Sequence, residues 1–156
     1  MAKINCGKTT VFNYVNAALM LVLLILQFVP FWTYGEAGET ASISQYIWFP
    51  TDYSEVEQYI AASLGTDFSI NQILGMAILM LVLSAAGFAL CLAKPGQPLV
   101  SLLPTACGLT GVIGYLTSPA MQLGTGWVLH LLVCAGMLAM GLAVLMGMFR
   151  QEQSFI

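Results

Sequence analysis

The sequence predicts an all-α membrane protein: a four-transmembrane-helix antiparallel bundle with a small extracytoplasmic loop subdomain. Three observations lead there. Hydrophobic residues make up 59% of the 156-residue chain and charged residues 7%. Soluble domains carry about 25% charge, so this chain has too little to cover a water-facing surface. The apolar residues gather in four runs, each long enough to cross about 30 Å of hydrocarbon as a helix. The charges are sorted by sign. Glu36, Glu39, Asp52, Glu55, Glu57 and Asp67 all fall in Tyr34–Phe68, the one long stretch that is not apolar, whereas Lys3, Lys8, Lys94 and Arg150 lie outside it. A single polytopic domain over 1–156 is expected, with spans at about 11–33, 70–93, 99–118 and 126–149 and an outer loop at 34–68.

The first run, Val11–Trp32, follows a short polar start carrying Lys3 and Lys8. A cleaved signal peptide also begins with cations before an apolar stretch. This run is longer than a signal core and ends in Pro30-Phe31-Trp32 rather than small residues, so a retained helix is expected. Asn13, Asn16 and Gln27 fall on one stripe of it. Amides in hydrocarbon need partners, so the stripe should face other helices, as interhelical glue or as the lining of a polar path.

In the loop, Ser42–Phe49 is aromatic and β-branched and stops at Pro50, which suits a short strand or an interfacial segment. Ser54–Leu64 reads as a short amphipathic helix. Ser54 with Glu57 forms a capping box, Val56, Tyr59, Ile60 and Leu64 recur on one face, and Gly65 ends it. The second span, 70–93, opens with another capping box, Ser69 with Gln72. Lys94-Pro95-Gly96-Gln97-Pro98 is a tight turn into the third span, where Pro104 falls in the first turn and costs little. Pro119–Thr125 turns into the fourth.

With four spans, all four cations fall on one side. The positive-inside bias then places both termini and the 94–98 turn in the cytoplasm, the acidic loop outside, and the protein in the plasma membrane. Trp32, Trp48 and Trp127 would form an outer aromatic belt.

Small residues mark where helices can approach. Ala135, Ala139, Ala143 and Gly147 form a small-xxx-small ridge on the fourth span and are the expected packing interface. Ala85, Ala89 and Ala93 repeat the pattern on the second, and Gly108, Gly111 and Gly114 recur on the third. The pattern does not say which way each ridge points.

Chemistry is sparse. Cys6, Cys91, Cys107 and Cys134 include no CxxC and none lies in the outer loop, which argues against a membrane thiol oxidoreductase and for small buried hydrophobes. His130 is the only histidine, so haem between two histidines of one chain is excluded. Met76-x-x-x-Met80 has a spacing used in copper transport but lacks an outer Met or His cluster. Asp52, Glu55 and Glu57 offer hard oxygens without an EF-hand pattern. No metal or cofactor is expected, and the absence of a basic patch argues against nucleic acid.

Two functions follow. The first is a non-enzymatic membrane protein acting through helix–helix and outer-loop contacts, as an accessory subunit, assembly factor or self-associating scaffold. Its partners would be the lipid bilayer and a second copy or another membrane protein. The second is a small transporter, channel or sensor for a small polar or cationic ligand, working as an oligomer. In that case Gln27, Asn71, Gln72, Tyr115 and His130 would converge in the outer third of the spans, under the 54–64 helix as a lid.

Overall fold

The structure, a computed structural model, describes residues 6–34, 39–42, 53–67, 69–117 and 126–153. It is mostly helical. In chain order come helix α1 (Cys6–Leu26), strands β1 (Pro30–Tyr34) and β2 (Glu39–Ser42), helix α2 (Ser54–Leu64) and helix α3 (Ile70–Ala93). A 3-10 turn, Pro98–Ser101, then leads into α4 (Leu102–Thr117), and α5 (Trp127–Gln153) follows. Four stretches, Gly7–Leu26, Ile73–Ala93, Pro98–Thr117 and Trp127–Gly147, are long and apolar enough to cross a membrane.

The first span differs from its expected bounds. Its helix starts at Cys6 and ends at Leu26, short of the apolar run's end. Pro30 has no N–H for the helix ladder and disfavours helical geometry in the residue before it. After a turn at Gln27–Phe28, the aromatic and β-branched stretch Phe31-Trp32-Thr33-Tyr34 forms β1 instead. β1 pairs antiparallel with β2, Trp32 opposite Ala41 and Tyr34 opposite Glu39, with an irregularity between Pro30 and Trp32. The strand expected over 42–49 lies, apart from Ser42, outside the described residues, as do Trp48 and the turn at 119–125.

The helix termini follow local chemistry with one exchange. Gly65 closes α2 in the left-handed conformation at φ 68°, donating its N–H to the Ala61 carbonyl. Ser69 caps α3 and accepts from the Asn71 N–H. At α2 the N-cap is Tyr53 rather than the expected Ser54, and the Glu57 N–H donates to the Tyr53 carbonyl. The Glu57 carboxylate instead accepts the Ile70 N–H at 2.8 Å, so it satisfies the first turn of the following helix.

α1 packs against α3 and α5, and α4 packs against the same two. The core runs along the inner faces through Met20, Leu23, Ile73, Ala77, Met80, Cys107, Tyr115, Cys134 and Met137, and it takes in Phe31, Val56 and Ile60 from the loop elements. The glycines of α4 set its closest approach. A Cβ on Gly108 would stand 2.6 Å from the Cys134 carbonyl oxygen and 2.7 Å from the Leu138 nitrogen, so the α4 and α5 backbones meet only because Gly108 has no side chain.

At one end, Asn13 ties α1 to the turn between α3 and α4. Its Nδ2 donates to the carbonyls of Pro95 and Gln97 at 2.8 and 3.2 Å, and its Oδ1 accepts from Ser101 Oγ at 2.6 Å. Lys8 and Lys94 are exposed at this same end.

Candidate functional site

Two features stand out: an aromatic cluster where the core reaches the other end of the helices, and outward-facing ridges of small residues.

The cluster is built from three elements. β1 contributes Phe31, the last turn of α4 contributes Tyr115, and the first turn of α5 contributes His130; each is at most 2% exposed. The Phe31 and His130 rings meet edge to face, with centroids 5.0 Å apart. Tyr115 lies 5.7 Å from His130 and 6.0 Å from Phe31. Such tilted arrangements suit the ring quadrupoles. Gly126 makes the crossing of β1 over α5 feasible, since a Cβ there would stand 2.5 Å from the Pro30 carbonyl oxygen.

His130 Nδ1 lies 2.9 Å from the Gly126 carbonyl oxygen. A carbonyl only accepts, so Nδ1 carries the proton and Nε2 presents a lone pair. Nε2 is buried and has no hydrogen-bond partner among the described residues. α2 lies over this end: Val56 and Ile60 are buried in the same core cluster, and Leu64 packs against it. Tyr59, expected on that downward face, is 40% exposed. It lies about 100° around the helix from Ile60, at the edge of the buried stripe rather than its centre.

Of the five residues expected to converge, the structure brings Tyr115 and His130 into contact. Gln27 is buried in the turn after α1. Asn71 is exposed, and the side chain of Gln72 falls outside what is described. Sequence reasoning missed Phe31, the ring that packs on both Tyr115 and His130, because it read that stretch as the tail of a helix. Among the described residues, no three of His, Cys, Asp and Glu come together as a metal cluster.

The amide stripe divides. Asn13 is the glue described above. Asn16 is fully buried one turn further in, and its Oδ1 and Nδ2 have no partner among the described residues.

The ridges also divide. Gly108 and Gly111 are buried against the neighbouring helices. Ala135, Ala139, Ala143 and Gly147 on α5 are exposed, as are Ala85, Ala89 and Ala93 on α3. A Cβ on Gly147 would meet nothing within 4 Å. The inward face of α5 is instead His130, Cys134, Met137, Gly141 and Val144. The longest ridge therefore takes no part in packing among the described residues.

No protein-family model, curated protein or solved structure matches the chain.

Proposed function

We propose that the chain is a non-enzymatic integral membrane protein that works by contact, and that it self-associates through α5. In this reading the four apolar helices form an antiparallel bundle across the plasma membrane. Both termini are cytoplasmic, the 34–68 loop lies outside, and its hairpin and short helix cap the outer end. The sign sorting supports the orientation: Lys8 and Lys94 share one end, and the described carboxylates Glu39, Glu55, Glu57 and Asp67 belong to the elements at the other.

The observation that carries the reading is the exposure of Ala135, Ala139, Ala143 and Gly147. Small residues spaced by four let helix backbones approach closely, which is what drives association where lipid supplies no hydrophobic gain. Two copies inserted the same way present α5 in parallel, so one ridge can meet its own image about a two-fold axis along the membrane normal. The test is the mass of the protein purified in mild detergent, together with co-purification from native membranes. A dimer or larger homo-oligomer supports self-association. A different membrane protein on the ridge would make the chain an accessory subunit, and a monomer with no co-purifying protein would contradict contact as its function.

A second reading, a sensor or carrier of a small polar ligand, draws on the unpartnered Nε2 of His130 beside Tyr115. The cover above it is Val56 and Ile60, and the Glu57 carboxylate is engaged by Ile70. That lining favours a neutral hydrogen-bond donor over the cation expected from the acidic loop. A thermal shift with small alcohols, absent in His130→Phe, tests it.

A further inference from the structure

We propose that Met80, Cys107 and Cys134 form a soft-metal site for Cu(I) between α3, α4 and α5, with Met76 at its approach. It lies within the chain, so it stands or falls independently of self-association through the α5 ridge.

Glycines of α4 gather the sulfurs. The space beside Gly111 that a Cβ would need is taken by Cys134 Sγ from α5 and by the Met80 methyl from α3, 2.9 Å from that point. Beside Gly114 the space is taken by the Met76 thioether. Cys107 precedes Gly111 by four residues, so it lies on the same face of α4 one turn away. Its Sγ is 3.9 Å from the Met80 carbonyl oxygen and 3.9 Å from Ser84 Oγ. Both thiols are fully buried and free, and Met80 is 3% exposed.

The donor set selects the ion. Thiolate and thioether ligands favour Cu(I), whereas calcium and magnesium need oxygens. No Asp, Glu, Lys or Arg occurs in the apolar stretches of these three helices, so a bound ion must be neutralised by its own ligands. A monovalent ion achieves that with one thiolate. Cu(I) binds the sulfur of one cysteine, that cysteine's proton leaves to solvent, and the second thiol and the Met80 thioether donate lone pairs. No electron changes hands, and the site ends neutral.

Ser84 completes the surroundings. Its hydroxyl donates to the Met80 carbonyl, to which the Cys107 S–H also donates, and Ser84 Oγ lies beside the Cys107 sulfur. Once Cys107 is ionised, the hydroxyl can turn to its sulfur. Met76 offers an approach: it is half-buried, one turn from Met80 toward the Tyr115 end, and so the first sulfur an ion from that side would meet.

The test uses the full chain with Cys6→Ser and Cys91→Ser, leaving one cysteine pair. The protein in detergent is titrated with Cu(I) under anaerobic conditions against a chromogenic chelator, and X-ray absorption reads the copper shell. One equivalent of Cu(I) in an all-sulfur shell is expected. Cys107→Ser with Cys134→Ser should abolish binding, and Met80→Leu, which keeps shape, should weaken it with the thermal midpoint retained. Ser84→Ala should weaken binding by about tenfold as the loss of an outer hydrogen bond. Lack of stoichiometric uptake, uptake that survives loss of both cysteines, nitrogen or oxygen in the shell, or displacement of Cu(I) by Zn(II) would each overturn the site. The absorption measurement on the parent needs no variant to fold.

Discussion

At the scale of single residues, Asn13 and Asn16 make the sharpest contrast. They stand on the same stripe of α1, and the sequence gives no ground to separate them. Asn13 joins three groups across more than eighty residues of chain, whereas neither end of the Asn16 amide has a partner among the described residues. Asn13→Leu should lower stability in detergent by about 1 kcal/mol, the usual scale of interhelical hydrogen bonds. Asn16→Leu removes a buried amide that gains nothing and should be neutral or stabilising by about 1 kcal/mol. Equilibrium unfolding of both variants checks this, and equal losses would mean that Asn16 is bonded as Asn13 is. Phe31 shows why such roles are hard to read from sequence. Its chemistry is that of any apolar residue near a membrane surface, and only the change from helix to strand at Pro30 turns its ring onto His130.

At the scale of elements, the second long apolar helix was legible, because length, hydropathy and a Ser69 cap all act locally. The hairpin was not. Pro30–Tyr34 continues an apolar run, and its partner Glu39-Thr40-Ala41-Ser42 carries little strand signal by itself, so the pairing arises only between the two. The small-residue ridges were legible as ridges but not as faces, since spacing carries no azimuth. The structure assigns them: the α4 glycines turn inward and the α5 alanines outward. Gly108→Val would push atoms into the Cys134 and Leu138 backbone, and overpacking of this kind destabilises by about 1–3 kcal/mol. A drop in the thermal midpoint is expected, with loss of the fold the extreme case. A variant as stable as the parent would show that α4 and α5 do not meet there. The Glu57 link between α2 and α3 is similar in kind. Glu57→Ala leaves the Ile70 N–H without its acceptor and should speed hydrogen exchange at the start of α3 while leaving α4 unchanged.

At the scale of the whole molecule, composition alone made the membrane legible, and sign sorting gave an orientation that chemistry can check. In intact cells, a cysteine placed at exposed Glu55 should react with an impermeant thiol reagent and Cys6 should not. Labelling of Cys6 from outside would reverse the orientation. The candidate site was legible only in part, because Tyr115 and His130 meet through tertiary packing with Phe31 that no local pattern encodes. The central claim, that the chain acts by contact through the outer face of α5, is tested most directly by energy transfer between labelled copies in lipid bilayers at increasing dilution. The parent is compared with Ala139→Leu. Ala139 faces away from the helices of its own chain, so the account predicts an unchanged thermal midpoint with transfer that falls to the random-encounter level in the variant. Transfer equal in both proteins, or at the random level in the parent, would contradict it.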